Sequence, residues 1–130
     1  MKNSIKPCIA LVLCTLALSQ WCALLVGGGA GAGAVAYAKG EYRTAYAAPY
    51  DKVWNAVLQA LRDQQMEVTD RFRDRQQGQI QARKRDGKTL TIKVEDVGEG
   101  VSAVKIRVGT MGDEAESKLL ERQIAHNLGL

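Results

Sequence analysis

Residues 78–108 read GQIQARKRDGKTLTIKVEDVGEGVSAVKIRV, and this stretch decides the fold. Its middle, Lys88 to Glu95, alternates without a break: Leu90, Ile92 and Val94 fall on one face, Thr91, Lys93 and Glu95 on the other. Period-2 alternation marks a strand with one buried and one wet face. Upstream, Gly78 to Arg85 forms a second strand with Ile80 and Ala82 inward, and Asp86-Gly87 between the two is a preferred hairpin dipeptide. Downstream, Gly98-Glu99-Gly100 turns the chain into a strand carrying Val104, Ile106 and Val108. Strands joined by such short turns form an antiparallel meander, and its apolar face needs a cover.

The flanking sequence supplies that cover and two more strands. Met66 to Arg73 reads as a strand with Val68 and Phe72 sharing a face; alternation puts Asp70 on that face too, which suits a sheet edge or a bulge. Glu41 to Ala47 is a short strand with Tyr42, Thr44 and Tyr46 together. Pro49 suits a first helical turn, and from Tyr50 to Gln64 the positions Val53, Trp54, Val57, Leu58 and Leu61 make one helical stripe. A second helix is expected from Asp113 to Asn127, with Asp113 and Glu116 as a capping box and Ala115, Leu119, Leu120, Ile124 and Leu128 inward. The expected fold is α+β: a two-layer sandwich of order β-α-β-β-β-β-α, with a mostly antiparallel sheet and both helices on one face.

Charge divides the 130 residues unevenly. Residues 1–38 carry only Lys2 and Lys6, whereas residues 39–130 carry 16 basic and 14 acidic side chains. After the basic start, Cys8 to Leu18 is an apolar run of eleven residues, the length of a secretory signal and short of the roughly 20 residues of a membrane span. Three outcomes follow. Cys22, placed just after this run, is the expected lipid-attachment residue, although Trp21 before it is bulky for a lipoprotein signal. Cleavage after Ala36-Tyr37-Ala38 fits a small-x-small pattern, and an uncleaved segment would leave a membrane anchor. The working division is 1–21 signal or apolar anchor, 22–40 attachment cysteine with a Gly/Ala-rich tether, and 41–130 the folded domain.

The glycine tract holds two further patterns. Gly29, Gly31 and Ala34 match G-x-G-x-x-A, but a dinucleotide site needs a strand and helix around that motif, and an export signal precedes it here. Gly27, Gly29, Gly31 and Gly33 carry G-x-x-x-G spacing, which in an apolar helix permits close self-packing; a flexible tether is the other reading.

Catalytic chemistry finds little purchase. All three cysteines lie in residues 1–38, so the domain carries no thiol and no thiolate metal site. His126 stands alone near a helix end, and Ser102 and Ser117 have no histidine nearby in sequence. A protein that is not an enzyme, without cofactor or metal, is expected. The basic residues suggest binding instead: residues 71–93 carry a net charge of +6, and alternation places Arg71, Arg73, Arg83, Arg85 and Lys93 on a common solvent face. Such a face attracts anions. Nucleic acid is not an expected partner, because an exported protein does not meet it and no exposed aromatics are expected between the basic residues for base stacking.

The segments GGGAGAGAVAYAKGEYRTAYAAPYDKVWNAVLQAL (27–61), KTLTIKVE (88–95) and VKIRVGTMGDEAESKLL (104–120) together resemble a group of short bacterial lipoproteins, the domain of unknown function numbered three-five-six-eight. I-R-V-G-T-x-G-D-E (106–114) is the most specific part. The resemblance implies a signal, a lipid-attachment cysteine at Cys22, a glycine tract and one small α+β domain; it implies no activity. A-P-x-D-K-V-W-x-A (48–56) is more loosely similar to the first helix of helix-grip domains. The expected protein is a membrane-anchored cell-envelope module with its domain in the periplasm, partnered by the membrane and by an envelope protein or anionic polymer. The rival readings are a glycine-zipper membrane protein and a basic-face binder of anionic lipid.

Overall fold

The computed structural model describes residues 35–130. Cys22, Gly27, Gly29, Gly31 and Gly33, and the division at residues 21 and 22, lie outside the described residues. Among the described residues no helix is long and apolar enough to cross a membrane.

Six strands and two helices follow in the order β1 (Ala36–Ala38), β2 (Glu41–Tyr46), α1 (Tyr50–Asp63), β3 (Glu67–Arg73), β4 (Gln77–Arg83), β5 (Thr89–Gly98), β6 (Val101–Val108) and α2 (Glu114–Leu128). The strands form one antiparallel sheet in the order β1-β2-β6-β5-β4-β3. The α+β sandwich is therefore as expected, with β1 added. Alternation did not predict that strand: its three residues lie in the stretch read as tether. It folds back on β2 through Lys39-Gly40, both at positive φ (53° and 78°), the two-residue turn whose twist matches an antiparallel pair.

Period-2 patterning decides which face is covered. Tyr46, Ile80, Ala82, Leu90, Ile92, Val94, Val104 and Ile106 are buried on one side, against Val53, Trp54, Val57 and Leu61 of α1 and Leu120 and Ile124 of α2. Each of the valine, leucine and isoleucine side chains among them contributes about 1.5–3 kcal/mol when fully removed from water. Turn chemistry agrees with the sequence in kind: Glu99-Gly100 links β5 to β6, and Asp74 Oδ1 accepts from the backbone of Gln76 and Gln77 between β3 and β4. The Asp86-Gly87 hairpin is a three-residue loop, closed by Lys84 N to Lys88 O at 2.9 Å, rather than a two-residue one.

Two local expectations are corrected. First, the register of β3 on β4 slips between Val68 and Asp70, so Thr69 is a bulge. Val68 opposes buried Ala82, whereas Phe72 opposes Gln79, so the two lie on opposite faces. An extra residue shifts side-chain parity by one. Second, the inward stripe of α2 is Ser117, Leu120, Glu121, Ile124 and Leu128; Ala115 and Leu119 face water. Two polar residues take buried places because each has a partner: Ser117 Oγ donates to Asp113 O at 2.6 Å, and Glu121 meets Tyr46. Asp113 caps α2 as expected, its side chain accepting from Glu116 N. The Glu116 carboxylate turns instead to Lys84 (2.7 Å) and Lys88 (3.3 Å) of the β4–β5 loop.

Candidate functional site

Among the described residues nothing covers the face of the sheet away from the helices, and β4, β5, β6 and β2 fill it with outward residues of the alternating pattern. Ladder pairing sets these side chains in rows, because directly opposed residues share a face. One row crosses all six strands: Phe72, Gln79, Lys93, Lys105, Arg43 and Ala36. The row beside it runs Asp70, Gln81, Thr91, Arg107, and the row on the other side Gln77, Glu95, Ala103, Ala45.

Two shallow recesses meet at Gln79 and Lys93. Glu41, Thr91, Lys105 and Arg107 complete one, of about 240 Å³. Phe72, Gln77, Gly78 and Glu95 complete the other, of about 260 Å³.

The electrostatics of the central row are unusual. Lys93, Lys105 and Arg43 stand directly opposite one another on adjacent strands, about 4.8 Å apart by ladder spacing. Like charges so placed destabilise a sheet. Nearby acids offset part of this: Glu95 binds Lys105 diagonally across the ladder at 2.9 Å, and Glu41 binds Arg43 of its own strand at 3.1 Å and Arg107 of β6 at 3.5 Å. The hydrogen bond from Arg43 holds the Glu41 carboxyl below its ordinary pKa, helped by the charges of Arg43, Arg107 and Lys93. Lys93, at the centre, forms no ion pair among the described residues.

The five basic residues singled out from sequence do not share this face. The bulge at Thr69 turns Arg71 and Arg73 to the helix side, opposite Ile80 and Gly78. Arg73 lies over the rings of Tyr50 (5.0 Å) and Trp54 (5.3 Å) and pairs with Asp51. Gly78 makes room for this stack, since a Cβ there would fall 2.4 Å from Trp54. Arg83 is on the open face but pairs with Glu67 at 3.1 Å, and Arg85 sits in the β4–β5 loop. Of the five, Lys93 alone reaches the central row.

Its real neighbours, Lys105, Arg107 and Arg43, were missed because local charge density was summed along the chain. Outward alternation on β2 and β6 carried the signal.

Other reactive groups have structural settings. Ser102 Oγ donates to Ala48 O at 2.8 Å. His126 is exposed in the last turn of α2. Tyr46 is buried with its hydroxyl on Glu121, and burial first, then the Glu121 charge, drives its pKa far above the usual tyrosine value. Among the described residues no group of acids, histidines or cysteines is disposed to hold a metal ion.

A family model described as "Protein of unknown function (DUF3568)" matches residues 4–127, which takes in the apolar N-terminal run as well as the domain. Comparison with curated proteins finds no match.

Proposed function

The chain belongs to the DUF3568 family, and from that premise we propose that it is a cell-envelope protein held at the membrane by its N-terminal segment, with a non-catalytic domain that binds an envelope ligand on the open sheet face. Lipidated Cys22 is the anchor, the glycine tract that follows is the tether, and the domain faces the periplasm. The Lys2/Lys6 start before an eleven-residue apolar run supports export, and a family match beginning at residue 4 makes that run part of the shared architecture. A binding role rests on one observation: a face that no described residue covers, whose central row sets three cations side by side, one of them without an acid among the described residues. A non-catalytic role is supported by Ser102 and Ser117, whose hydroxyls are engaged by main-chain carbonyls.

Intact mass of the mature protein from purified membranes, beside Cys22→Ala, tests the anchor. A diacylglyceryl-plus-acyl mass beginning at Cys22 and lost in the variant is expected. An unmodified full-length mass overturns lipidation and makes the apolar stretch ahead of β1 the anchor, with Gly27, Gly29, Gly31 and Gly33 as its packing face. For the binding face, hydrogen exchange of the full-length protein is measured with isolated membrane vesicles and with cell-wall sacculi. Slowed exchange in β4, β5 and β6 is expected with one of them; no change with either overturns the role of the face.

A further inference from the structure

Resting on the open face as the binding surface, we propose that its ligand is an acidic glycan of low charge density: a strand of neutral sugars with spaced carboxylates, lying along the row from Phe72 to Arg43. The count of uncompensated charge sets this class. Four cations, Lys93, Lys105, Arg43 and Arg107, face only Glu95 and Glu41, a surplus of two, and of the four Lys93 alone forms no ion pair among the described residues. One carboxylate set on Lys93 relieves the repulsion among the three opposed cations.

Neutral recognition surrounds that charge. Gln77, Gln79 and Thr91 line the two recesses around Lys93, and amides and hydroxyls both donate and accept, as sugar hydroxyls do. Phe72, 61% exposed, closes the row two strands from Lys93, roughly 10 Å away by strand spacing. The bulge at Thr69 holds it on this face, where its ring is a flat apolar platform for the C–H face of a sugar. The distance suits two linked sugar rings, one on Phe72 and a carboxylate-bearing one at Lys93.

A membrane surface fits less well. Glu41, Glu67, Asp70 and Glu95 share the open face, so a sheet of anionic headgroups would meet carboxylates along with the lysines.

The test uses the full-length protein in detergent micelles and three probes: soluble glycan strands carrying muramic-acid carboxylates, neutral chitooligosaccharide of matched length, and phosphatidylglycerol added to the micelles. Binding of the carboxylated strands is expected to weaken roughly ten-fold or more in Lys93→Gln, as for loss of one charge-assisted hydrogen bond, and to recover in Lys93→Arg. Phe72→Ala should weaken both glycans. Lys118→Gln, on exposed α2 surface, should change neither, and no variant should lower the parent urea midpoint, Lys93→Gln raising it if anything as the opposed charges lose a member. Equal affinity for carboxylated and neutral strands, binding of phosphatidylglycerol alone, or no binding of carboxylated strands overturns the proposal. If sacculi or vesicles still slow exchange in β4, β5 and β6 while carboxylated strands do not bind, the ligand class fails and the binding face stands. If no fraction does, both fail.

Discussion

Tyr46 on β2 donates its hydroxyl to the Glu121 carboxylate on α2 at 3.1 Å, with Tyr46 wholly buried and Glu121 only 8% exposed. This contact ties the second helix to the sheet through a polar bond inside a largely apolar layer. Such a pair is costly to break from one side, because the partner left behind stays buried.

Tyr46→Phe is therefore expected to destabilise the domain by about 1–2 kcal/mol. Glu121→Gln, which can still accept from Tyr46, should cost less than Glu121→Ala. A double-mutant cycle in urea should return a coupling above about 0.5 kcal/mol; additive losses would mean that the bond contributes nothing specific.

The phase of α2 makes a sharp contrast between neighbours. Leu120 is fully buried and Leu119 is 57% exposed. Leu120→Ala should cost about 2–5 kcal/mol, and Leu119→Ala less than about 0.5 kcal/mol, by urea midpoint. Similar losses at both would restore the stripe expected from hydrophobicity alone.

Gly40 and Gly112 touch backbone to backbone: a Cβ on Gly112 would fall 2.3 Å from the Gly40 carbonyl oxygen, at a φ of +83°. Gly112→Ala combines a steric clash with left-handed strain and should cost about 3 kcal/mol or more. Gly109, also at positive φ but facing open space, should cost only about 1 kcal/mol as Gly109→Ala. Thermal unfolding of the two variants side by side checks the difference.

Acid should loosen the domain. Asp74 and Asp86 sit below the ordinary carboxyl value because backbone amides of their own turns hydrogen-bond to them, and Glu41 sits below it chiefly because Arg43 hydrogen-bonds to its carboxylate. A depressed carboxyl stabilises the fold fully above its ordinary value and ceases to do so as pH falls through its folded value. The urea midpoint should hold near neutrality and drop below about pH 4. Glu41→Gln should flatten part of that drop, and an unchanged slope would remove Glu41 from the account.

Much of this architecture was legible because alternation and turn chemistry are local. Leu90, Ile92 and Val94 named the buried face of β5, Asp113 named the start of α2, and Asp70 marked the irregular edge. What escaped depended on partners far along the chain. Asp70 left an edge and a bulge both open; pairing with β4 sets the bulge at Thr69, and it sends Arg71 and Arg73 to the helices. Ser117 and Glu121 look like surface residues until Asp113 and Tyr46 are seen to satisfy them. The Lys93, Lys105 and Arg43 row joins strands whose order, β2 beside β6 beside β5, is a property of the sheet and not of any window of sequence.

The short β1 hairpin also has a mechanical meaning. A pull on the chain ahead of Ala36 loads β1 from the end away from its turn, so its bonds to β2 would open one after another rather than all together. Peeling three residues releases roughly 10 Å of chain. It then reaches Lys39, whose carbonyl accepts from Arg107 at 3.0 Å, and Gly40, wedged against Gly112. Tension thus meets a short yielding length and then a stop, and the five remaining strands stay paired behind it.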